Sequence, residues 1–431
     1  MRKPSVTRRQ FVRSAALAGG AVALRGLAGL GRPAAAQAPG KVQREVVVKH
    51  WMHIDPPNPV YQQLVNEFNA KHKGQIKVEL QVIPWNAYHQ QLTTAIAAGN
   101  APDTARLVEF WIGQFWAGRW VLPLDGYIEK WEGRKDFPPA ALDARRSGPG
   151  QPVVLMPCIG WSSLLYYRRD WFEREGLKPP ATHEEFVAAC KAIARPKENR
   201  WAYALRGARG GQQHWEAFIF QAGGEYVNDK GEIVIDSPDA IRAATMQAEL
   251  FTKHKVVRPD AVTDDWPQLV KGVQTGQIGM MNHGIHIRKL LTEALGDKIA
   301  PAVLPRDKRE GTFKSASGPA ILSHTKHRDE AWEWVKFWSS PEAAELFIEN
   351  KVEDMVPENT RVAGHRKFKE DEYYQAAARM ARVQSYTPFW HPRYGPMVEK
   401  LWSPTMQKVL LGELTPEQQM KAYADFMRRT G

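Results

Sequence analysis

The spacing of apolar residues along the chain switches repeatedly between the period of a strand and that of a helix. Residues 45–53 are rich in valine and read as a buried strand. The Pro-rich stretch at 55–59 ends it, with Pro59 suited to a first helical turn. Val60, Leu64, Val65 and Phe68 then share one helical face. Residues 75–83 alternate polar and apolar as a second strand. Leu92, Ala95, Ile96 and Ala98 mark a second helix, stopped by Gly-Asn-Ala-Pro-Asp at 99–103, and residues 104–110 read as a third strand. Strand, helix, strand, helix, strand implies a parallel sheet with crossover helices, whose ligands bind beyond the carboxyl ends of the strands.

A second series of strands and helices begins near Val153. Residues 162–167 read as a strand. Thr182 and Glu185 form a capping box that opens a helix through Ile193. Paired glycines at 210–211 and 223–224 bracket a helix over 214–220. Residues 278–281 and 299–304 are short apolar strands, 331–338 and 341–348 are amphipathic helices, and 396–430 is helical with Pro416 near a helix start. Periodicity therefore predicts an α/β protein of two lobes.

Composition adds a globular class: 43% of the 431 residues are hydrophobic and 25% charged, with no apolar run long enough for a membrane span. The formal charge of +12 misleads. The first 36 residues hold seven Lys or Arg and no acid, which leaves 52 basic against 47 acidic residues beyond them. That segment, with Arg8-Arg9 before Phe11, an Ala/Gly/Leu-rich stretch and small residues at 34–36, is expected to be a twin-arginine signal peptide (residues 1–36) cleaved near Ala36. The mature protein is then expected in a periplasm. Two cysteines, Cys158 and Cys190, exclude a disulfide scaffold; a single bridge between them is permitted but not required.

No phosphate-cradling glycine loop, nucleophile elbow or His-Glu-x-x-His motif is present, so no catalysis and no cofactor are expected. His50/His53 and His283/His286 have the i,i+3 spacing of helical metal pairs but fall in strand or loop segments, and no metal site is expected. Glu109 is a lone carboxylate, which makes a secreted glycoside hydrolase or lyase a secondary reading. Nucleic acid is not an expected partner, because basic and aromatic residues do not interleave along one stripe. The positive signal is aromatic. Sixteen Trp occur, many where strands give way to loops, and flat apolar faces beside a few polar groups suit sugar rings. Trp116, Trp120, Trp332, Trp334 and Trp338 instead lie in helical patterns and read as packing.

Taken in order, Trp51-Met-His53, Trp85-Asn-Ala-Tyr88, Ala97-Ala-Gly99-Asn-Ala-Pro-Asp103, Leu122-Pro-Leu-Asp125, Leu165-Tyr-Tyr167-Arg-Arg-Asp170, Gly176-Leu-Lys-Pro-Pro-Ala-Thr182, Gly276-Gln-Ile-Gly-Met280 and Ala331-Trp-Glu-Trp334 give the chain a resemblance. It resembles the family 1 extracellular solute-binding proteins, carbohydrate receptors of ABC importers of the maltose and multiple-sugar type. The resemblance implies a two-lobed periplasmic binding protein-like fold (type II) with a ligand cleft between lobes that close by hinge bending. It places crossings near 156–160 and 282–300, an N-terminal lobe of 41–157 plus 299–340, and a C-terminal lobe of 158–298 plus 341–431. It implies a monomer that takes a sugar, sugar derivative or polyol and delivers it to inner-membrane permease subunits. The implied ligand contacts are Trp51, His53, Asp55, Trp85, Tyr88, Glu109, Trp111, Trp161, Gln213, His214, Trp215, His286, Trp390, Arg393 and Tyr394. His286 stands where many sugar receptors carry a stacking Trp. Arg206, Arg209 and Arg393 raise a second ligand class, an anion such as a uronic acid or glycerol phosphodiester.

Overall fold

The computed structural model describes residues 44–53, 58–315, 317–349, 356–362 and 364–429. The expected export segment and Asp55 lie outside the described residues. Among the described residues ten strands form: β1 (Val46–His53), β2 (Ile76–Ile83), β3 (Thr104–Leu107), β4 (Ile159–Arg168), β5 (Trp201–Tyr203), β6 (Ile278–Gly284), β7 (Ile299–Ala302), β8 (Lys314–Ser315), β9 (Gly318–Ile321) and β10 (Val356–Pro357). One sheet has the order β2-β1-β3-β9. In it β1 runs parallel to β2 and β3, with Val46 opposite Ile76 and His53 opposite Ile83, while β9 closes the edge antiparallel.

The helices that join these strands form for the reasons their sequences suggest. Asn58 caps Pro59–Lys71, its side chain accepting from the Val60 amide at 3.1 Å, and Pro59 occupies the first turn where no donor is missed. Val60, Tyr61, Leu64, Val65 and Phe68 are its buried face. The helix Trp85–Ala97 buries Tyr88, Leu92 and Ala95. The third strand is shorter than the apolar run predicts. It stops at Leu107, opposite Gly318, because β9 begins there and no partner extends further; Glu109–Trp111 turns into a 3₁₀ helix instead.

The second sheet is built on the ten-residue β4, which lies between β6 and β7 and pairs antiparallel with both. β5 adds to β6 in parallel. The first residues of β4 also pair with two short segments: Ile159 and Gly160 with β10, Trp161 and Ser162 with β8. Three stretches therefore run side by side between the sheets, near residues 156–162, 314–315 and 356–358, the latter two antiparallel to the first.

This topology corrects the expected boundaries. The connection over 282–300 is not a crossing. The helix Arg288–Leu295 returns the chain as β7 to the same strand, and the amides of Arg306 and Thr312 donate to Ala181 and Gln384 at 2.9 and 3.2 Å. Residues 299–312 thus stay with the second sheet. The helix Pro341–Glu349 belongs with the first, since Ala343, Leu346 and Phe347 share its core with Val60, Leu64 and Trp334. The first lobe is 44–158 with 317–349 and 358–362, the last held by Arg145 on Glu358 and by Asp136 on Thr360 and Arg361, and the second is 159–315 with 364–429.

Packing follows the aromatic pattern. His50 is buried between Trp334 and Trp338, at ring distances of 5.5 and 4.8 Å, and its Nδ1 lies 2.8 Å from the Thr104 hydroxyl. Burial, with help from the Arg106 charge, pushes its pKa down to about 3. Tyr61 stacks on Trp338 at 5.6 Å. Thr182 caps His183–Ile193 by accepting from the Glu185 amide at 3.1 Å, while the Glu185 carboxylate reaches one residue past the usual box to the Ala181 amide at 2.7 Å. Cys158 and Cys190 are buried and not joined by a disulfide. Among the described residues, no helix is long and apolar enough to cross a membrane.

Candidate functional site

The carboxyl end of β1 places Trp51 and His53 on the same side of the strand. The His53 ring lies 4.7 Å from Trp85 and 5.2 Å from Tyr88, both carried by the helix after β2. Burial, then the charges of Arg106 and Arg209, hold this imidazole well below its usual pKa, so it is neutral. The Tyr88 hydroxyl lies 3.0 and 2.8 Å from the carbonyl oxygens of Trp51 and Arg106. Tyr88 is thereby a tie between β1 and β3, fully buried and with its polar atom spent on the backbone. The turn after β3 supplies Glu109, a buried carboxylate accepting from the Ser315 hydroxyl at 3.0 Å, and Trp111, whose ring is parallel to Trp85 at 5.6 Å.

The second lobe meets this surface directly. The Arg209 guanidinium lies over the Trp85 ring at 4.9 Å and pairs with Glu399 through two bonds of 2.9 and 3.0 Å. Glu399 in turn accepts from the Trp111 indole N–H at 3.4 Å. The Gly113 amide donates to the Phe389 carbonyl at 2.9 Å, and a Cβ on Gly113 or Gly395 would strike the opposing backbone. The two lobes are therefore closed on one another in this structure, and only glycine fits at those two points.

Deeper in the second lobe, Trp161 sits among three imidazole and phenyl rings: His286 at 5.1 Å, Phe313 at 5.3 Å and a parallel His283 at 6.0 Å. A Cβ on Gly284 would lie 2.6 Å from the indole. His283 touches His286 at 4.7 Å and His214 at 5.2 Å. Burial, followed by the neighbouring imidazole and Arg206 charges, holds His283 well below the usual range; burial and then Arg206 do the same for His214. His283 and His214 are therefore neutral, and no group of three or more His, Cys, Asp or Glu with metal-holding geometry occurs among the described residues.

A buried carboxylate organises the wall behind them. Glu216 is fully buried in the helix Gln212–Gln221 and accepts from Tyr394 at 2.5 Å, Tyr226 at 2.9 Å and Thr387 at 3.0 Å. Its pKa is pushed up to about 7 by burial, with the three hydroxyls opposing and Glu109 reinforcing the shift. Thus Tyr394 is an anchor for the 385–397 segment.

Several sequence-predicted residues lie elsewhere. Trp215 is buried edge-on against Trp402 and belongs to the core of the second lobe. Gln213 is half-buried one position from the fully buried Gln212. Arg393 donates to the Phe426 carbonyl at 2.7 Å, covers the Phe426 ring, and lines a separate cavity of about 1140 Å³ with Lys400, Arg428 and Arg429. Trp390 is half-buried, with its backbone against Gly113. Sequence reasoning missed Glu216, Ser315 and Glu399. Glu216 carries a signal after all, a lone acid within the apolar run 215–220; the other two do not.

The model of the bacterial extracellular solute-binding protein family matches residues 55–345. The chain belongs to this family. A relative from Brucella abortus, named only as a putative binding protein, is 24% identical over 84% of this chain and 87% of its own. The diacetylchitobiose-binding protein DasA of Streptomyces coelicolor is 25% identical over 63% of this chain and 64% of its own. Among solved structures, an ABC transporter solute-binding protein from Thermotoga lettingae bound with α-D-tagatose superposes with a TM-score of 0.79, at 22% identity, over 89% of this chain and 99% of that one. The two-lobed architecture of the family is the one described above.

Proposed function

We propose that the chain is the periplasmic substrate-binding receptor of an ABC importer, taking a sugar, sugar derivative or polyol between its lobes and handing it to the membrane permease. One observation carries the reading. Arg209 and Glu399 of the second lobe close on Trp85 and Trp111 at the strand ends of the first, beside Glu109 and its bond to Ser315, at a boundary the chain crosses three times, the geometry of a hinge-closed receptor. The tagatose-bound and diacetylchitobiose-binding relatives are consistent with a carbohydrate-like ligand. Among the described residues the two buried carboxylates here are already occupied, Glu109 by the Ser315 hydroxyl and Glu216 by three hydroxyls, which favours a binding role over acid–base work on a glycosidic bond. Export through the twin-arginine route, with cleavage near Ala36, and a monomeric state complete the proposal.

The anionic alternative draws less support, because Arg206 pairs with Asp265 and Arg209 with Glu399, while Arg393 faces the separate cavity. A thermal-shift screen of the mature protein against carbohydrates tests the receptor reading. A true ligand at 100 times its Kd adds about 2.7 kcal/mol to stability. Steady release of product from chromogenic glycosides overturns the reading in favour of an enzyme.

A further inference from the structure

A cavity of about 1140 Å³ opens on the second lobe, between the turn 231–234, the segment 391–400 and the end of the helix Pro416–Arg428. All of its lining belongs to that lobe, so it is a different site from the surface where the lobes meet. Its frame is fixed. Arg428 grips Asp236 through two bonds of 2.7 and 2.9 Å and donates to the Ile233 carbonyl at 2.7 Å, which ties the helix end to the turn. Arg393 donates from Nε to the Phe426 carbonyl at 2.7 Å and lies over the Phe426 ring at 4.6 Å, which ties the segment to the helix.

The charges around this cavity do not balance. Its lining holds Arg393, Lys400, Arg428 and Arg429 against a single acid, Glu232, which already accepts from the Asn228 side chain at 2.8 Å. Arg428 has its counter-charge in Asp236, whereas Arg393, Lys400 and Arg429 have none among the described residues. Arg393 is half-buried, and with its Nε and its flat face engaged, its two terminal nitrogens are left to donate. Burial, and then the Arg393 charge, holds His391 on the same wall below its usual pKa, the direction an uncompensated positive field imposes. The rest of the lining is largely apolar, with Ile233, Val234, Pro396 and Phe426.

We infer that this cavity is a second binding site, outside the interlobe surface, for an organic phosphate monoester. Such a group carries about −1.5 to −2 charge at neutral pH and three acceptor oxygens, which answers the unpaired cations. The terminal nitrogens of Arg393 form a fork suited to two of those oxygens, while Lys400 and Arg429 supply further positive charge. An inorganic ion would leave the apolar side chains bare, and the volume is that of a site for an organic molecule, whose carbon part rests on Phe426, Ile233 and Val234. A soluble phosphorylated compound and a phosphatidic acid headgroup share this chemistry.

Calorimetry on the mature protein at neutral pH and low ionic strength tests the site with phenyl phosphate, inorganic phosphate and benzyl alcohol. Phenyl phosphate should bind about tenfold or more tighter than inorganic phosphate, and benzyl alcohol should not bind. Arg393→Met should weaken phenyl phosphate about tenfold or more, the size of losing one hydrogen bond to a charged group. Should that variant fail to fold, the exposed pair Lys400→Gln with Arg429→Gln should weaken it about tenfold and flatten its dependence on salt. Co-sedimentation with vesicles of phosphatidic acid but not of phosphatidylcholine, competed by phenyl phosphate, identifies the lipid as the source; phenyl phosphate binding without co-sedimentation identifies a soluble ester. Equal binding of phenyl phosphate and benzyl alcohol, or no binding of phenyl phosphate, overturns the anionic class. Inorganic phosphate bound as tightly as phenyl phosphate overturns the organic part. Unaltered affinity in the variants removes the site from this cavity.

Discussion

Glu216 is a single side chain whose charge state couples folding to pH. Its carboxyl is held at about 7 in the folded protein against 4.5 in an unfolded chain. The folded state therefore keeps a proton that the unfolded state has lost, and stability falls as pH rises from about 4.5 to about 7, then levels off. The shift corresponds to about 3 kcal/mol. Buried histidines slope the opposite way: His50, lowered to about 3, costs stability as pH falls below 6.5. That histidine contribution is common to wild type and a Glu216→Gln variant and cancels in their difference. Urea titrations of both proteins at pH 5 and pH 8 should show the variant gaining about 3 kcal/mol relative to wild type at the higher pH; an equal difference at both pH values refutes the assignment. At this scale the sequence is only partly readable. His53, Trp85 and Trp161 stand out from pattern and resemblance; the structure places Trp85 against Arg209 at the closure, His53 beside Trp85, and Trp161 among rings of the second lobe. Glu399 is an ordinary polar residue in a helix, and only the tertiary fold reveals what surrounds it.

At the scale of elements, a clasp of side chains adds to the backbone contacts at Gly113 and Gly395: the ion pair Arg209–Glu399 of the second lobe grips the parallel Trp85–Trp111 pair of the first. Its salt bridge is part-buried and bidentate, so it is worth more than an exposed pair. Glu399→Gln keeps the shape but leaves Arg209 without its counter-charge. We expect ligand dissociation to accelerate about tenfold, equivalent to about 1.4 kcal/mol, with the association rate little changed, since affinity differences between related complexes reside mostly in dissociation. Stopped-flow tryptophan fluorescence measures both, and an unaltered dissociation rate removes the clasp from the mechanism. The helices that bear this clasp are legible because their apolar residues recur at helical spacing. The return crossing is not. β7 is an apolar run like any other, and whether it returns to β4 or leaves for the first sheet depends on its partner strand, which periodicity does not encode. The true return is a short segment with Ser315, Ser317 and Gly318, too brief and too polar to register as an element.

At the scale of the whole molecule, three crossings and a closed surface predict a rigid-body opening. The structure corresponds to the closed state, so small-angle scattering should show a radius of gyration that shrinks by roughly an ångström when a saturating ligand is added to the free protein. Identical curves count against hinge closure. Export makes a separate prediction: with Arg8 and Arg9 both replaced by lysine, the precursor should remain in the cytoplasm, and undiminished periplasmic protein on fractionation excludes the twin-arginine route. The antiparallel placement of β9 carries one more consequence, for the order in which the chain can fold during synthesis. The outer edge of β3 is covered by a strand encoded about 210 residues later, and the helices Arg328–Trp338 and Pro341–Glu349 that complete the same core come later still. At about 5–20 residues per second a ribosome needs roughly 10–40 s to supply them. Until then the first lobe presents an unpaired apolar edge, the kind of surface that recruits other chains. A nascent receptor of this topology spends most of its synthesis aggregation-prone, and a message truncated anywhere before codon 321 should yield insoluble protein, however intact its first hundred residues are.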